Sequence, residues 1–217
     1  MRGFLQKDIA LLGQNRSLYG IIIVMMIFMV CVRNESFIIV YSGMMGGFLA
    51  MSIISYDDAD RGMGFLMTLP STRKIYAVEK YILGYGVSFL LLAAGTVIAA
   101  VSSMFRNSGL EKGDLMLSFE TGVMIVAVIM IVLVPVQLKF GAENGRIIMA
   151  AVFMGLFGVF YFVVKVAESF GVDVDQVMVD IQSLGIPVIA GVILVFLGIA
   201  SFISCLISIR IMERKEF

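Results

Sequence analysis

The chain has 217 residues, its 16 Lys and Arg cancel 16 Asp and Glu, and it contains no histidine. Hydrophobic residues make up 60% and charged residues 15%, with a mean hydropathy of +1.03, against roughly 45–50% apolar and ~25% charged in soluble domains. These figures exclude an ordinary soluble domain, offer nothing to nucleic acid, and remove His-based zinc sites, general bases and proton relays.

Apolar residues fall in long runs rather than alternating with polar ones, which points to membrane helices of ~20 residues. The length leaves room for about six such spans and no separate soluble domain. We therefore expect an all-α membrane protein, a single transmembrane domain over 1–217. Residues 1–16 are not a span. On a helix, Phe4, Leu5, Ile9, Leu11 and Leu12 gather on one side and Arg2, Gln6, Lys7 and Gln14 lie towards the other. That pattern suits an interfacial helix in the headgroup layer. No cleavable leader is visible, because the first apolar run follows this polar lead and lacks a small-residue cleavage site.

The first span is read as 18–32, with Arg33-Asn34-Glu35 as a tight outer turn, and the second as 37–54. Gly43 and Gly47 in the second span form a Gly-x-x-x-Gly pair that would admit another helix closely, although such pairs also arise by chance in a chain with 22 glycines. The third span covers 75–104. Pro70 ends any helix before it, and Ser71 or Thr72 can cap its start. A polar outer loop over 106–119 leads to the fourth span, 121–138, where Pro135 removes a backbone hydrogen bond and should kink the helix. Residues 139–146 form an inner turn, 147–164 the fifth span and 186–209 the sixth. Between the last two, Val174, Val177, Met178, Ile181 and Leu184 share one helical face, and Asp173 with Gln176 resembles a capping box. A short amphipathic outer helix is expected over 172–185, stopped by Gly185 and Pro187.

Orientation follows from the basic residues. With both termini inside, the inner segments hold Arg2, Lys7, Arg16, Arg61, Arg73, Lys74, Lys80, Lys139, Arg146, Arg210, Arg214 and Lys215. The outer segments hold only Arg33, Arg106, Lys112 and Lys165. Only positive charge sets topology, so both termini and the segment after the second span are expected in the cytoplasm.

The stretch 55–80 is the longest charge-bearing insert before the C-terminal third. It carries Asp57, Asp58, Asp60 and Glu79 against Arg61, Arg73, Lys74 and Lys80, with Phe65, Leu66, Met67 and Leu69 among them. It is long enough for a surface helix and suited to docking on another protein; the plainer reading is a solvated loop. No charges are expected deep within the spans, and no Cys cluster or Gly-x-x-x-x-Gly-Lys phosphate loop is present. Cys31 and Cys205 lie in the first and last apolar runs, near opposite faces, and are read as unbridged thiols. The 17 methionines could form an adaptable wall for apolar cargo, or serve as lipid-compatible filler. With no tryptophan, Tyr19, Tyr41, Tyr56, Tyr76, Tyr81, Tyr85 and Tyr161 are expected as interfacial anchors. Whatever work the chain does must be driven from outside it.

Ser55-Tyr56-Asp57-Asp58 after the second span, followed by Leu69-Pro70-Ser71-Thr72-Arg73-Lys74, resembles the ABC-2 type permeases of bacterial ABC exporters. More narrowly, the whole chain is similar to the small six-span group that includes phenol-soluble modulin exporters. The resemblance implies that 55–74 forms a cytoplasmic coupling helix seated in a groove of a separate ABC ATPase subunit. Asp57, Asp58, Asp60, Arg61, Phe65 and Leu69 would touch that subunit. It implies pairing of two permease copies, or of one copy with a close homologue, in the bacterial plasma membrane. ATP and Mg would reside on the partner and no catalytic residue or metal site on this chain; the cargo would be an amphipathic peptide or other hydrophobic molecule. Gly62 and Gly64 depart from the pattern, since glycine weakens a helix by about 1 kcal/mol each. A membrane sensor or assembly subunit that transports nothing is the alternative from a different class.

Overall fold

The computed structural model describes residues 2–14, 16–32, 34–59, 73–106, 112–169 and 186–215. Among them there is no strand. Six helices follow in order: α1 Arg2–Gln14, α2 Arg16–Val32, α3 Glu35–Ala59, α4 Arg73–Arg106, α5 Lys112–Ser169 and α6 Ile186–Arg214. The expected outer helix over 172–185 and most of the 55–74 segment lie outside the described residues.

The helix ends have local causes. Asn34 caps α3: its Oδ1 accepts the Phe37 amide at 3.1 Å, and Glu35 in the first turn faces the positive end of the helix dipole. α5 breaks at Gly141, whose φ of 75° and ψ of −177° lie outside the helical range. A positive φ there suits glycine, the residue with no Cβ to clash. Pro135 sits within helical backbone six residues earlier, so the observed departure from helical dihedrals falls at the glycine. The stretch read as an outer loop, 106–119, is helical from Lys112 onward.

Among the described residues four helices are long and apolar enough to cross a membrane: Glu35–Asp57, Arg73–Phe105, Gly113–Gly141 and Ala190–Arg214; Tyr19–Val32 is a shorter apolar helix. The fifth expected span, 147–164, lies in the distal half of α5, where Ile147, Met154, Phe157, Tyr161 and Phe162 are exposed. α6 likewise turns Val192, Val195, Phe196, Ile199 and Phe202 outward. Exposed apolar faces on helices that satisfy their own backbone groups suit a lipid surround. The chain is a multi-pass membrane protein.

α3 is the central post, with two-thirds of its apolar window buried (67%) against 11% for α6. It closes against α4 and α5 because small residues remove the side chains that would hold the backbones apart. A Cβ on Gly46 would lie 2.4 Å from the Ser88 Cα. One on Gly43 would meet Leu92 at 2.8 Å and Val126 at 3.2 Å, and one on Gly47 would meet Ile129 at 2.9 Å. The Gly43/Gly47 pair thus faces α4 and α5 of the same chain. Two larger apolar clusters flank the post. Met51, Ile54, Tyr76, Met130, Leu133, Leu138 and Met212 join α3 to α4, α5 and α6. Leu12, Ile22, Met26, Ile38, Ile53 and Leu83 join it to α1, α2 and α4.

Candidate functional site: an ion-paired junction around Asp57

The end of α3, the start of α4 and the middle of α1 meet in a buried cluster of charges. Asp57 Oδ2 accepts from the Tyr76 hydroxyl at 2.9 Å and pairs with the Lys80 ammonium at 2.8 Å. Its other oxygen pairs with Lys7. Lys80 also pairs with Asp8 Oδ2, while Lys7 lies 3.3 Å from Asp8 Oδ1. Tyr76 and Lys80 stand one helical turn apart and so share a face of α4. The Lys80 ammonium lies 4.8 Å from the Tyr76 ring centroid, a further cation–π contact. The side chains of Asp8, Asp57 and Lys80 are at most 4% exposed.

An arrangement of this kind is a device for holding positions more than a source of stability. Removing several charges from water costs about what their attraction returns, whereas deleting one partner strands the other. Lys7 illustrates the balance at the edge of the site. Partial burial works against its charge, but the carboxylates of Asp57 and Asp8 outweigh burial and hold its pKa above the ordinary 10.5. Glu79 is the odd member. It is fully buried, and neither carboxylate oxygen has a hydrogen-bond partner among the described residues.

A second fastening lies beside the first. Arg73, the first residue of α4, donates to the carbonyls of Met212 at 3.4 Å, Glu213 at 2.9 Å and Lys215 at 3.0 Å. These carbonyls at and just beyond the end of α6 lack partners of the usual helical kind, and a cation there also complements the helix dipole. Lys74 pairs with Glu213 at 3.2 Å, an exposed contact of little weight. Lys215 in turn donates to the Leu138 carbonyl at 3.0 Å, three residues before the break at Gly141. Both flanks of the 60–72 segment are therefore bound to helices distant in sequence: Asp57 to α1 and α4, Arg73 to α6.

Deeper in the bundle, α4 and α6 are joined by a polar seam. The Tyr81 hydroxyl meets Ser204 at 2.7 Å and Ser208 at 3.0 Å, and the Tyr85 hydroxyl meets Ser201 at 2.6 Å. Ser204 also donates to the Ile131 carbonyl of α5 at 2.7 Å. Tyr41, Tyr76 and Tyr81 are buried inside the bundle rather than anchored at a membrane interface, which corrects the expectation for these three of the seven tyrosines. The expectation of α1 as a purely interfacial helix is also corrected, because Asp8 and Leu12, one turn apart, are both buried against the bundle. Glu79 and Lys80 lie six and seven residues inside α4, near its start rather than deep in the span, and both are buried.

A family model described as an ABC-2 family transporter protein matches residues 3–213. The chain belongs to that family. It is a permease of an ABC transporter, and membership implies pairing with a separate ABC ATPase subunit. No curated protein and no solved structure matches the chain. Of the six residues expected to touch the ATPase, the permease's Asp57 is the one whose side chain is described, and it points into the bundle. The side chain of Asp58 and all of Asp60, Arg61, Phe65 and Leu69 lie outside the described residues. The residues that sequence reading missed are Asp8, Lys80 and Tyr76. Their signals were the Tyr76/Lys80 spacing and the Asp8/Leu12 pair, each one helical turn apart.

Proposed function

We propose that this permease is the membrane subunit of an ATP-driven exporter, paired with a second copy or close homologue, and that 55–74 is its coupling segment. The ATPase, carrying ATP and Mg, would grip that segment on the cytoplasmic side, with both termini inside and six spans in all. None of the chemistry of hydrolysis is assigned to this chain. The observation that carries the reading is the double fastening: a push on the segment between Asp57 and Arg73 reaches α1 and α4 through Asp57, and α6 through Arg73. On this reading Asp57 is a positioning residue, and Asp58, Asp60, Arg61, Phe65 and Leu69 supply the contact surface. The resemblance to phenol-soluble modulin exporters favours amphipathic or hydrophobic cargo, peptides foremost, moved by alternating access.

The test is reconstitution of the permease with its ATPase in lipid. Phe65→Ala and Asp60→Ala should leave the complex able to hydrolyse ATP while export of a fluorescent amphipathic peptide falls severalfold. Unchanged export in both variants would sink the coupling role. A chain that co-purifies with no ATPase would favour the alternative, a sensor or assembly subunit.

A further inference from the structure

Outside the ionic junction, one surface of α6 carries a pattern that the proposed coupling does not use. Lys139, Arg210, Arg214 and Lys215 line a cavity of about 580 Å³ together with Ile207 and Ile211. Among the described residues no acidic side chain lines it, and the neighbouring Glu213 is turned to Lys74. Lys215 is engaged with the Leu138 carbonyl, and Lys139 lies 5.0 Å from the Phe140 ring centroid. Arg210 and Arg214 form no ion pair or hydrogen bond among the described residues. Two like charges one helical turn apart repel each other, so an anion between them would relieve a standing cost.

The position of these arginines identifies the kind of anion. Phe196, Ile199, Ile203, Ile207, Arg210 and Arg214 follow one another at three- and four-residue steps and therefore form one stripe along α6. The first four are exposed, between 46% and 69%. From Phe196 to Ile207 the stripe runs about 17 Å at ~1.5 Å per residue, and it then turns abruptly cationic. A soluble partner or a free phosphate would use the cationic end alone. A phospholipid uses both, with acyl chains along the isoleucines and the phosphate at the arginines. Basic pockets between membrane helices are suited to anionic headgroups for this reason.

We propose that the Lys139–Arg210–Arg214 cavity is a binding site for an anionic phospholipid, whose headgroup ties the end of α6 to the Gly141 break in α5. The test uses the purified full-length permease in detergent, with retained lipid counted by native mass spectrometry and unfolding followed by heat. Phosphatidylglycerol, phosphatidylcholine with the same acyl chains, glycerol 3-phosphate and inorganic phosphate are added separately. Phosphatidylglycerol should be retained and should raise Tm, whereas phosphatidylcholine and the two soluble phosphates should do neither. Arg210→Gln with Arg214→Gln should weaken phosphatidylglycerol retention on the order of tenfold or more. Arg210→Lys with Arg214→Lys should keep most of it, and Lys165→Gln, a basic residue of α5 that does not line the cavity, should change nothing. If the double glutamine variant does not fold, Lys139→Gln alone must still lower retention. Equal retention of the two lipids, parental retention in the glutamine variants, or an equal Tm rise with inorganic phosphate would each overturn the proposal. No ATPase takes part, so this result and the coupling experiment can fail separately.

Discussion

Lys80 reaches Asp57 at 2.8 Å across the gap between α4 and α3, and neither side chain has access to solvent worth counting. Two residues that bracket a 22-residue stretch of sequence (58–79) are thereby held as one rigid point. Asp57→Ala leaves Lys80 and Lys7 with only Asp8, and Lys80→Met leaves two carboxylates with only the half-buried Lys7. Loss of one member of a buried pair costs about 3–5 kcal/mol. Each single variant should therefore lower Tm sharply and reduce the yield of folded permease. The double variant Asp57→Leu with Lys80→Met should lose less than the sum, because no charge is left without its counterpart. Thermal unfolding in detergent decides between coupling and simple additivity.

Glu79 should behave in the opposite way. Among the described residues the junction sets three carboxylates, Asp8, Asp57 and Glu79, against two ammoniums, Lys7 and Lys80, so Glu79 has no ammonium of its own there. Glu79 is also the carboxylate whose two oxygens receive no hydrogen bond among the described residues. Glu79→Gln removes this charge at nearly constant shape, and the permease should unfold at the same temperature or higher. Asp8→Asn, which takes one of its two carboxylate partners from Lys80, should lower Tm. Equal losses in the two variants would mean that Glu79 must be ionised.

The helices were readable in the sequence because their signal is local. Runs of apolar residues placed the second, third and sixth spans within about five residues of α3, α4 and α6. The small-residue positions Gly43 and Gly47 were readable for the same reason. The junction was not, because its members come from three helices and none of its pairs is closer in sequence than 19 residues, apart from neighbours on one helix. Lys80 read as the end of a polar insert, and only the packing of α1 over it turns that charge inward. Asp8 was hidden by the usual rule that an amphipathic lead turns its polar face to water. Here part of that face is used to dock.

Gly46 supplies a packing prediction with its own control. A Cβ there would lie 2.4 Å from the Ser88 Cα, a backbone atom that cannot swing aside. Gly46→Ala should force α3 and α4 apart and destabilise the permease by about 1–3 kcal/mol. Gly86, two residues from Ser88 on α4, has open space around it. Gly86→Ala should be neutral or stabilising by up to about 1 kcal/mol, since alanine is the better helix former. A parallel loss in both variants, measured as Tm, would point to a general intolerance rather than this contact.

The attachment of α1 has a defined pH window. Lys7 has its pKa raised above the ordinary 10.5 in the folded chain. A group raised on folding contributes fully below its unfolded value, and that contribution is lost as pH climbs through the folded one. Proteolytic release of α1 should therefore be constant between about pH 7 and 9 and increase only in strong alkali. Lys7→Gln should release α1 more readily throughout that range and should remove the alkaline rise. A rise between pH 7 and 9 in the parent would show that some other group governs docking.

The seam between α4 and α6 tests how polar groups are carried at membrane depth. Tyr81 satisfies two buried serines at once, Ser204 and Ser208, and deleting its hydroxyl leaves both without that partner. An unsatisfied buried group costs about 1–3 kcal/mol, whereas removing both sides of a hydrogen bond is nearly neutral. Tyr81→Phe should thus lower Tm, and adding Ser208→Ala should restore part of the loss. Adding Ser204→Ala should restore less, because Ser204 also holds the Ile131 carbonyl of α5 at 2.7 Å. The order of recovery, Ser208 before Ser204, is the informative outcome. If the two alanines rescue equally, the tie from α6 to α5 contributes nothing, and the seam joins α6 to α4 alone.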